Sequence, residues 1–169
     1  MVTLDVDRVR FPDGSTGELE IVRHRGAVAV LPLAGSLDEP NPEIVLLKQY
    51  RYAVEGDLYE IPAGGRDEAD ESWEACARRE LEEETGLRSG RLISLTHVYT
   101  TPGFSDEVIH LFLATQLSEG VASLGEDEFV EIVRISLSEA LDWVRAGIII
   151  DGKTITTLLF AERFILRHR

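Results

Sequence analysis

The sequence has 169 residues, enough for one domain with a proper core. Its 44% hydrophobic and 28% charged residues are ordinary for a globular protein, and no run nears the ~20 apolar residues that span a bilayer. A net charge of −14 argues against binding a nucleic-acid backbone, which needs clustered Lys and Arg, and the single cysteine, Cys76, excludes an internal disulfide framework.

Met1 to Arg10 alternates charges with valines and lacks a signal-peptide core; with one cysteine, this gives the expectation of a cytoplasmic protein that meets neither membrane nor nucleic acid. Val2 to Phe11 and Glu18 to His24, joined through Pro12-Asp13-Gly14-Ser15, read as a β-hairpin, an element of residues 1–25 ahead of a main domain at 26–169. Ala27 to Leu33 is a buried-strand run, closed by a loop with Gly35, Pro40 and Pro42. Ile44 to Tyr50 and Leu58 to Ile61 read as strands, and Trp73 to Glu84 as a helix stopped by Gly86. Strands are expected at Leu92 to Thr100 and Val108 to Thr115, flanking a Pro102-Gly103 loop, and again at Phe129 to Ile135. Helices follow near Ser138–Ala146 and Lys153–Arg167, with Ser138 and Asp151 as start signals. Helices set among many strands without regular βαβ alternation suggest a mixed sheet sandwiched by helices.

The chemistry concentrates in Gly65 to Leu87. On a helix, Glu80 and Glu84 share a face with Glu83 beside them, and no cation stands three or four places from Glu80. Such like-charge pairs cost a helix roughly 0.2–0.5 kcal/mol each. A hard divalent cation offsets that cost, since Mg²⁺ prefers oxygen ligands and takes one or two carboxylates, waters and substrate phosphates. It would also make an acidic cleft attractive to a pyrophosphate, which a chain this acidic otherwise repels. The bland alternative is a solvated acidic face with Arg79 and Glu83 as an ordinary i,i+4 pair.

The pattern is more specific than an acid cluster. Gly65, Glu71, Arg79, Glu80, Leu81, Glu83, Glu84, Gly86 and Leu87 match without a gap the signature Gly-x5-Glu-x7-Arg-Glu-U-x-Glu-Glu-x-Gly-U, U being a bulky aliphatic. The segment resembles the Nudix hydrolases. That resemblance implies an α/β/α sandwich in which the signature forms a loop–helix–loop holding Mg²⁺ or Mn²⁺. It makes Glu80 and Glu84 metal ligands and Glu83 a ligand or water-orienting group. Gly65, Glu71, Arg79 and Gly86 are then structural.

The resemblance extends to the ADP-ribose pyrophosphatase branch through Lys48 to Tyr52, Glu60 to Gly64 and Thr101 to Glu107, with Pro102 fifteen residues beyond Leu87. It implies that Glu126-Asp127-Glu128 is an acidic loop, with Glu128 a further metal ligand and Glu126 or Glu128 a candidate base. The dipeptide Ala63-Gly64 precedes Gly65 instead of ending on it, which leaves open whether the Ala63 or the Gly64 carbonyl faces the metal. Arg51 resembles a phosphate-contacting arginine, set against a plain surface salt bridge. Glu107 resembles a contact to the terminal ribose, and Phe104 either stacks on a base or anchors its loop in the core. His24, His97, His110 and His168 lack ligand spacing and read as structural or surface, and Cys76 as packing. Arg163 to Arg169 suits the negative end of a helix dipole.

In that branch the N-terminal strands are exchanged between subunits, so the resemblance implies a homodimer. The expected reaction is hydrolysis of ADP-ribose, or a related nucleoside diphosphate sugar, to AMP and ribose 5-phosphate. The alternatives are a GDP-mannose or broad sugar-nucleotide hydrolase, with which Gly147 to Leu158 is equally compatible, and a catalytically silent sensor of nucleotide sugars.

Overall fold

The computed structural model describes residues 2–125 and 129–166. In chain order the strands are β1 (Thr3–Arg10), β2 (Thr16–Arg23), β3 (Ala27–Pro32), β4 (Glu43–Arg51), β5 (Gly56–Glu60) and β6 (Ala63–Gly65). Helix α1 (Trp73–Thr85) precedes β7 (Leu87–Tyr99), β8 (Val108–Glu119) and β9 (Val130–Ser136). The chain closes with α2 (Leu137–Ala146) and α3 (Gly152–Phe160).

One sheet has the order β6-β3-β8-β7, with β3 and β8 parallel and its other pairs antiparallel. A second, antiparallel sheet runs β5-β4-β9 and is tied to the first by the Leu33–Ile44 bridge. Alternation along β3 explains the layering. Val28 and Val30 pack with Cys76, Ala77 and Leu81 of α1, while Ala29 and Leu31 pack with Ala140 of α2 and Leu158 of α3. A strand buried on both faces needs an unbroken apolar run, which Ala27 to Leu33 supplies. The result is the α/β/α sandwich with a mixed sheet.

The hairpin forms in full, with Thr3 opposite Arg23 and Arg10 opposite Thr16. At its turn, Asp13 accepts hydrogen bonds from the Ser15 amide and hydroxyl. The signature helix is capped at one end by Ser72, whose hydroxyl accepts from the Ala75 N–H, and at the other by Gly86 in the left-handed region at φ 68°.

Several boundaries differ from the sequence reading. β7 starts at Leu87, five residues before Leu92, because the polar stretch Arg88 to Arg91 is carried by ladder pairing of Arg88, Ser89 and Arg91 with Ser118, Leu117 and Thr115 rather than by apolar alternation. Ser136, not Ser138, caps α2; Ser138 lies in the first turn, where its N–H donates to Asn41. The last helix begins at its Asp151 cap but leaves α geometry after Phe160 for a π turn over Ala161–Leu166. Strand β6 was not expected at all, being three residues held by its pairing with β3. Among the described residues no helix is long and apolar enough to cross a membrane.

Leu31 is fully buried at the centre of the two-sided strand. Leu31→Ala should cost about 2–5 kcal/mol, read as a lower urea midpoint with an unchanged slope.

Candidate active site

The loop between β6 and α1 is folded onto the helix by one guanidinium. Arg79 donates to Glu71 (3.1 Å), Glu80 (2.8 Å), Glu83 (2.9 Å) and the Gly65 carbonyl (2.8 Å), and Asp67 lies at 3.3 Å. Its bonds to Glu71, despite burial, and those to Glu80 and Glu83 push its pKa further up, so it stays charged throughout. Glu71 also accepts from the Asp67 N–H, closing the loop on itself. Cys76 points its Sγ at the Gly65 carbonyl (3.3 Å), and burial pushes its thiol up to about 12, which suits packing and not nucleophilic chemistry.

The carboxylates of Glu80 and Glu84 sit where α1 meets β6. Pairing of Ala27 with Gly65, Val28 with Gly64 and Ala29 with Ala63 fixes this short strand, and the Pro62 carbonyl accepts from the Val30 N–H. Glu84, 5% exposed, accepts the Ala63 N–H at 2.8 Å. Glu80 lies so close to Gly64 that a Cβ there would stand 2.3 Å from its carboxylate atoms. Burial raises the Glu80 carboxyl above its ordinary value, against the pull of Arg79. Ala63 and Gly64 thus both stand beside these acids.

Four carboxylates, those of Asp67, Glu71, Glu80 and Glu83, share the Arg79 guanidinium, leaving a surplus of negative charge. Hard oxygen donors in that excess fit a divalent cation. Among the described residues no group of three or more His, Cys, Asp or Glu is placed to hold a metal ion. A hard cation such as Mg²⁺ needs only one or two carboxylates, with water and substrate oxygens completing its shell, and Glu80 and Glu84 are of that kind.

Beside β6 opens a cavity of about 810 Å³. Ala63, Gly64 and Gly65 line it, together with Arg51, Lys153, His24 and Glu107. Arg51 donates from Nε and Nη2 to the two oxygens of Glu60, both at 2.8 Å, so its ion pair is a bidentate one with a buried partner and not a surface bridge. Lys153 pairs with the same Glu60 and lies 3.1 Å from Asp151. Burial pushes the Glu60 carboxyl up, but the Arg51 bonds and the Lys153 charge outweigh it and hold the group below its ordinary value. Asp151 also caps α3, accepting from the N–H (2.9 Å) and hydroxyl (2.6 Å) of Thr154. At the other end of the cavity, Glu107 accepts from the Thr100 hydroxyl (2.7 Å) and lies 3.5 Å from His24 Nδ1.

Phe104 is 55% exposed and stands neither in the core nor among the residues lining the cavity; its carbonyl accepts from the Val22 N–H and ties the loop to β2. His24 lines the cavity, a place that no metal-ligand spacing in the sequence signals. Glu60, Lys153 and Asp151 are further site residues that the sequence pattern does not single out. Each stands in a segment that carries the family resemblance, but their convergence depends on β4, β5 and α3 meeting. Glu126, Asp127, Glu128, His168 and the end of the basic tail lie outside the described residues.

A family model described as the NUDIX domain matches residues 23–156, which include the acid-bearing helix, β6 and every residue lining the cavity. The chain belongs to the Nudix family. Over 164 residues it is 42% identical to the ADP-ribose pyrophosphatase of Bacillus subtilis (strain 168), covering 96% of this chain and 85% of that one. It is 40% identical over 172 residues to the methanol dehydrogenase activator of Bacillus methanolicus, covering 100% and 90%. The GDP-mannose pyrophosphatase of Cronobacter sakazakii (strain ATCC BAA-894) is 36% identical over 156 residues, covering 82% and 78%. A crystal structure described as an ADP compounds hydrolase superposes with a TM-score of 0.81 at 21% identity, covering 97% and 86%, and shares the fold. Nudix hydrolases generally depend on a divalent metal.

Gly64→Ala should displace the Glu80 carboxylate while leaving the fold in place, because the clash is with the end of a flexible side chain. Turnover is expected to fall about 100-fold, the scale of a 1 Å misplacement, with little change in melting temperature. Steady-state kinetics and thermal unfolding of the purified variant check both.

Proposed function

We propose that this Nudix chain is a pyrophosphohydrolase that cleaves ADP-ribose, or a related nucleoside diphosphate sugar, to AMP and ribose 5-phosphate with Mg²⁺ or Mn²⁺. The observation that carries the reading is the junction of Glu80 and Glu84 with Ala63 and Gly64 of β6, which line the same cavity as Arg51 and Lys153. A diphosphate needs both: a cation held by carboxylates on one side and fixed positive charge on the other.

In this reading Glu80 and Glu84 hold the metal, together with the carbonyl of Ala63 or Gly64 and with Glu128. Glu83, more exposed than Glu80, orients the attacking water or joins the ligands. When bound, the metal supplies an activated water and neutralises charge on the phosphoryl oxygens. Arg51 uses two of its N–H groups on Glu60, which sets the plane of the guanidinium, and turns others toward the phosphate. Glu107, steadied by Thr100 and His24, meets a sugar hydroxyl. Glu126 or Glu128 takes the proton from water. Phe104 contacts the base only if a second subunit brings one to it.

A homodimer in the cytoplasm belongs to the same proposal. β1 and β2 make a two-stranded ribbon with Val2, Leu4 and Val6 exposed, and such a ribbon is marginal unless it packs on something. The hairpin of residues 1–25 is then the exchanged element, and the one cysteine, reduced and buried, suits a reducing compartment. A GDP-mannose substrate is the second reading, favoured by the relatives that carry that name.

The test incubates purified protein with ADP-ribose, GDP-mannose and ADP-glucose, in Mg²⁺, Mn²⁺ or EDTA, following release of the nucleoside monophosphate. Metal-dependent release of AMP, most efficient from ADP-ribose, is expected, and none in EDTA. Faster cleavage of GDP-mannose would move the substrate, and cleavage of none would sink the reading. Glu84→Gln should lower turnover by about 100-fold or more, since even outer-shell partners of a metal are worth 10- to 100-fold. Near-normal activity of that variant would remove α1 from the metal site.

A further inference from the structure

Glu60 is among the most buried charged groups described, 2% exposed, and it binds two cations, Arg51 and Lys153. Both its oxygens are engaged, one by Arg51 Nε and the other by Arg51 Nη2 and by Lys153. Its two partners come from distant parts of the chain, the end of β4 and the first turn of α3, and both line the cavity. A buried ion pair is weak support for stability, because desolvation of the charges consumes most of the attraction. A buried carboxylate that spends itself on two cavity cations is better explained by where it holds them.

The surrounding backbone makes the same point. Glu60 ends β5, and the next residue, Ile61, donates its N–H to the Thr154 hydroxyl of α3 at 2.9 Å. Two residues further on, Ala63 donates its N–H to Glu84. The four-residue stretch Glu60 to Ala63 therefore carries the anchor for two cations at one end and the seat of the acidic helix at the other, with the φ of Pro62 restricted in between.

We infer that Glu60 is a positioning residue: it fixes Arg51 and Lys153 at a set spacing from the Glu80–Glu84 face, so that the cavity receives a diphosphate between them. The inference rests on the pyrophosphatase reading of the site. Glu60 acts on substrate only through the two cations. Its loss therefore weakens binding of the diphosphate in ground state and transition state alike, raising KM with little change in kcat.

The experiment compares wild type, Glu60→Gln, Arg51→Ala/Lys153→Met and the triple variant on whichever of ADP-ribose and GDP-mannose the wild type cleaves better. Glu60→Gln is expected to raise KM about tenfold or more, the scale of a lost hydrogen bond between charged groups. Its kcat should stay within about threefold, as for an interaction common to ground and transition states. In the Arg51→Ala/Lys153→Met background the same change should add nothing, because its route to substrate is already gone. An unchanged KM, or a full additional loss in the triple variant, would overturn the inference while leaving the pyrophosphatase reading intact. If Glu60→Gln does not fold, Glu60→Asp keeps the charge but shortens its reach, and its KM is read against the same expectation.

Absence of cleavage by the wild type would instead defeat the reading of the function. The positioning role is then decided by inorganic pyrophosphate with Mg²⁺, followed through the Arg51 Nε–H signal in a ¹⁵N spectrum. A shift in wild type that is lost in Glu60→Gln supports it, and no shift in wild type overturns it.

Discussion

Arg79 holds four carboxylates and a backbone carbonyl within reach of one guanidinium, and the geometry of the acidic site depends on that single group. Glu80, Glu83 and Glu84 would repel one another on an isolated helix, and the loop that precedes them is rich in acids of its own. By bonding to Glu71 and the Gly65 carbonyl as well as to Glu80 and Glu83, Arg79 closes the loop onto the helix and sets its acids in place. Neutralisation is incomplete by design of the composition: the surplus negative charge, sharpened by the burial of Glu80, is what a divalent cation would satisfy.

The layers of the fold serve this arrangement. β3 is buried on both faces, and its alternate side chains fasten α1 to one side and α2 with α3 to the other. β6 pairs along its edge, so the same strand that organises the core also sets the backbone of Ala63 to Gly65 against α1. The cavity then lies where β6, the end of β4 and the start of α3 converge. Its electrostatics divide by origin: the acids come from one continuous helix, while the cations Arg51 and Lys153 come from segments about a hundred residues apart and are gathered by Glu60.

The stitching of the Pro102–Gly103 loop follows the same economy. Asp106 accepts from the His24 N–H and pairs with Arg23, while the Phe104 carbonyl takes the Val22 N–H. Glu107 and His24 are thereby set side by side on the cavity wall, and the end of β2 is bound to the loop that carries Glu107. The hairpin, otherwise exposed, is connected to the site through these few polar contacts.

The family and the acidic half of the site were legible in the sequence because they are local. A helix of known period places Glu80, Glu83 and Glu84 on one face, and the glycines and arginine around them stand at fixed offsets. The unbroken apolar run of β3 likewise announced a strand covered on both sides. Boundaries went astray where pairing, not side-chain pattern, decides: polar residues extend β7, and β6 exists only because β3 is beside it. Of the basic half of the site Arg51 was legible by resemblance, and the rest was hidden for the same reason. Glu60, Lys153 and His24 carry no spacing that relates them, since each reaches the cavity from a different element, and a salt bridge across nearly a hundred residues leaves no trace in a linear pattern. By itself the sequence determined which residues form the acid-bearing helix, which family it belongs to and, by resemblance, Arg51; only the tertiary structure decided that Lys153 and Glu60 join Arg51, because their meeting depends on the packing of sheets and helices that no local periodicity encodes.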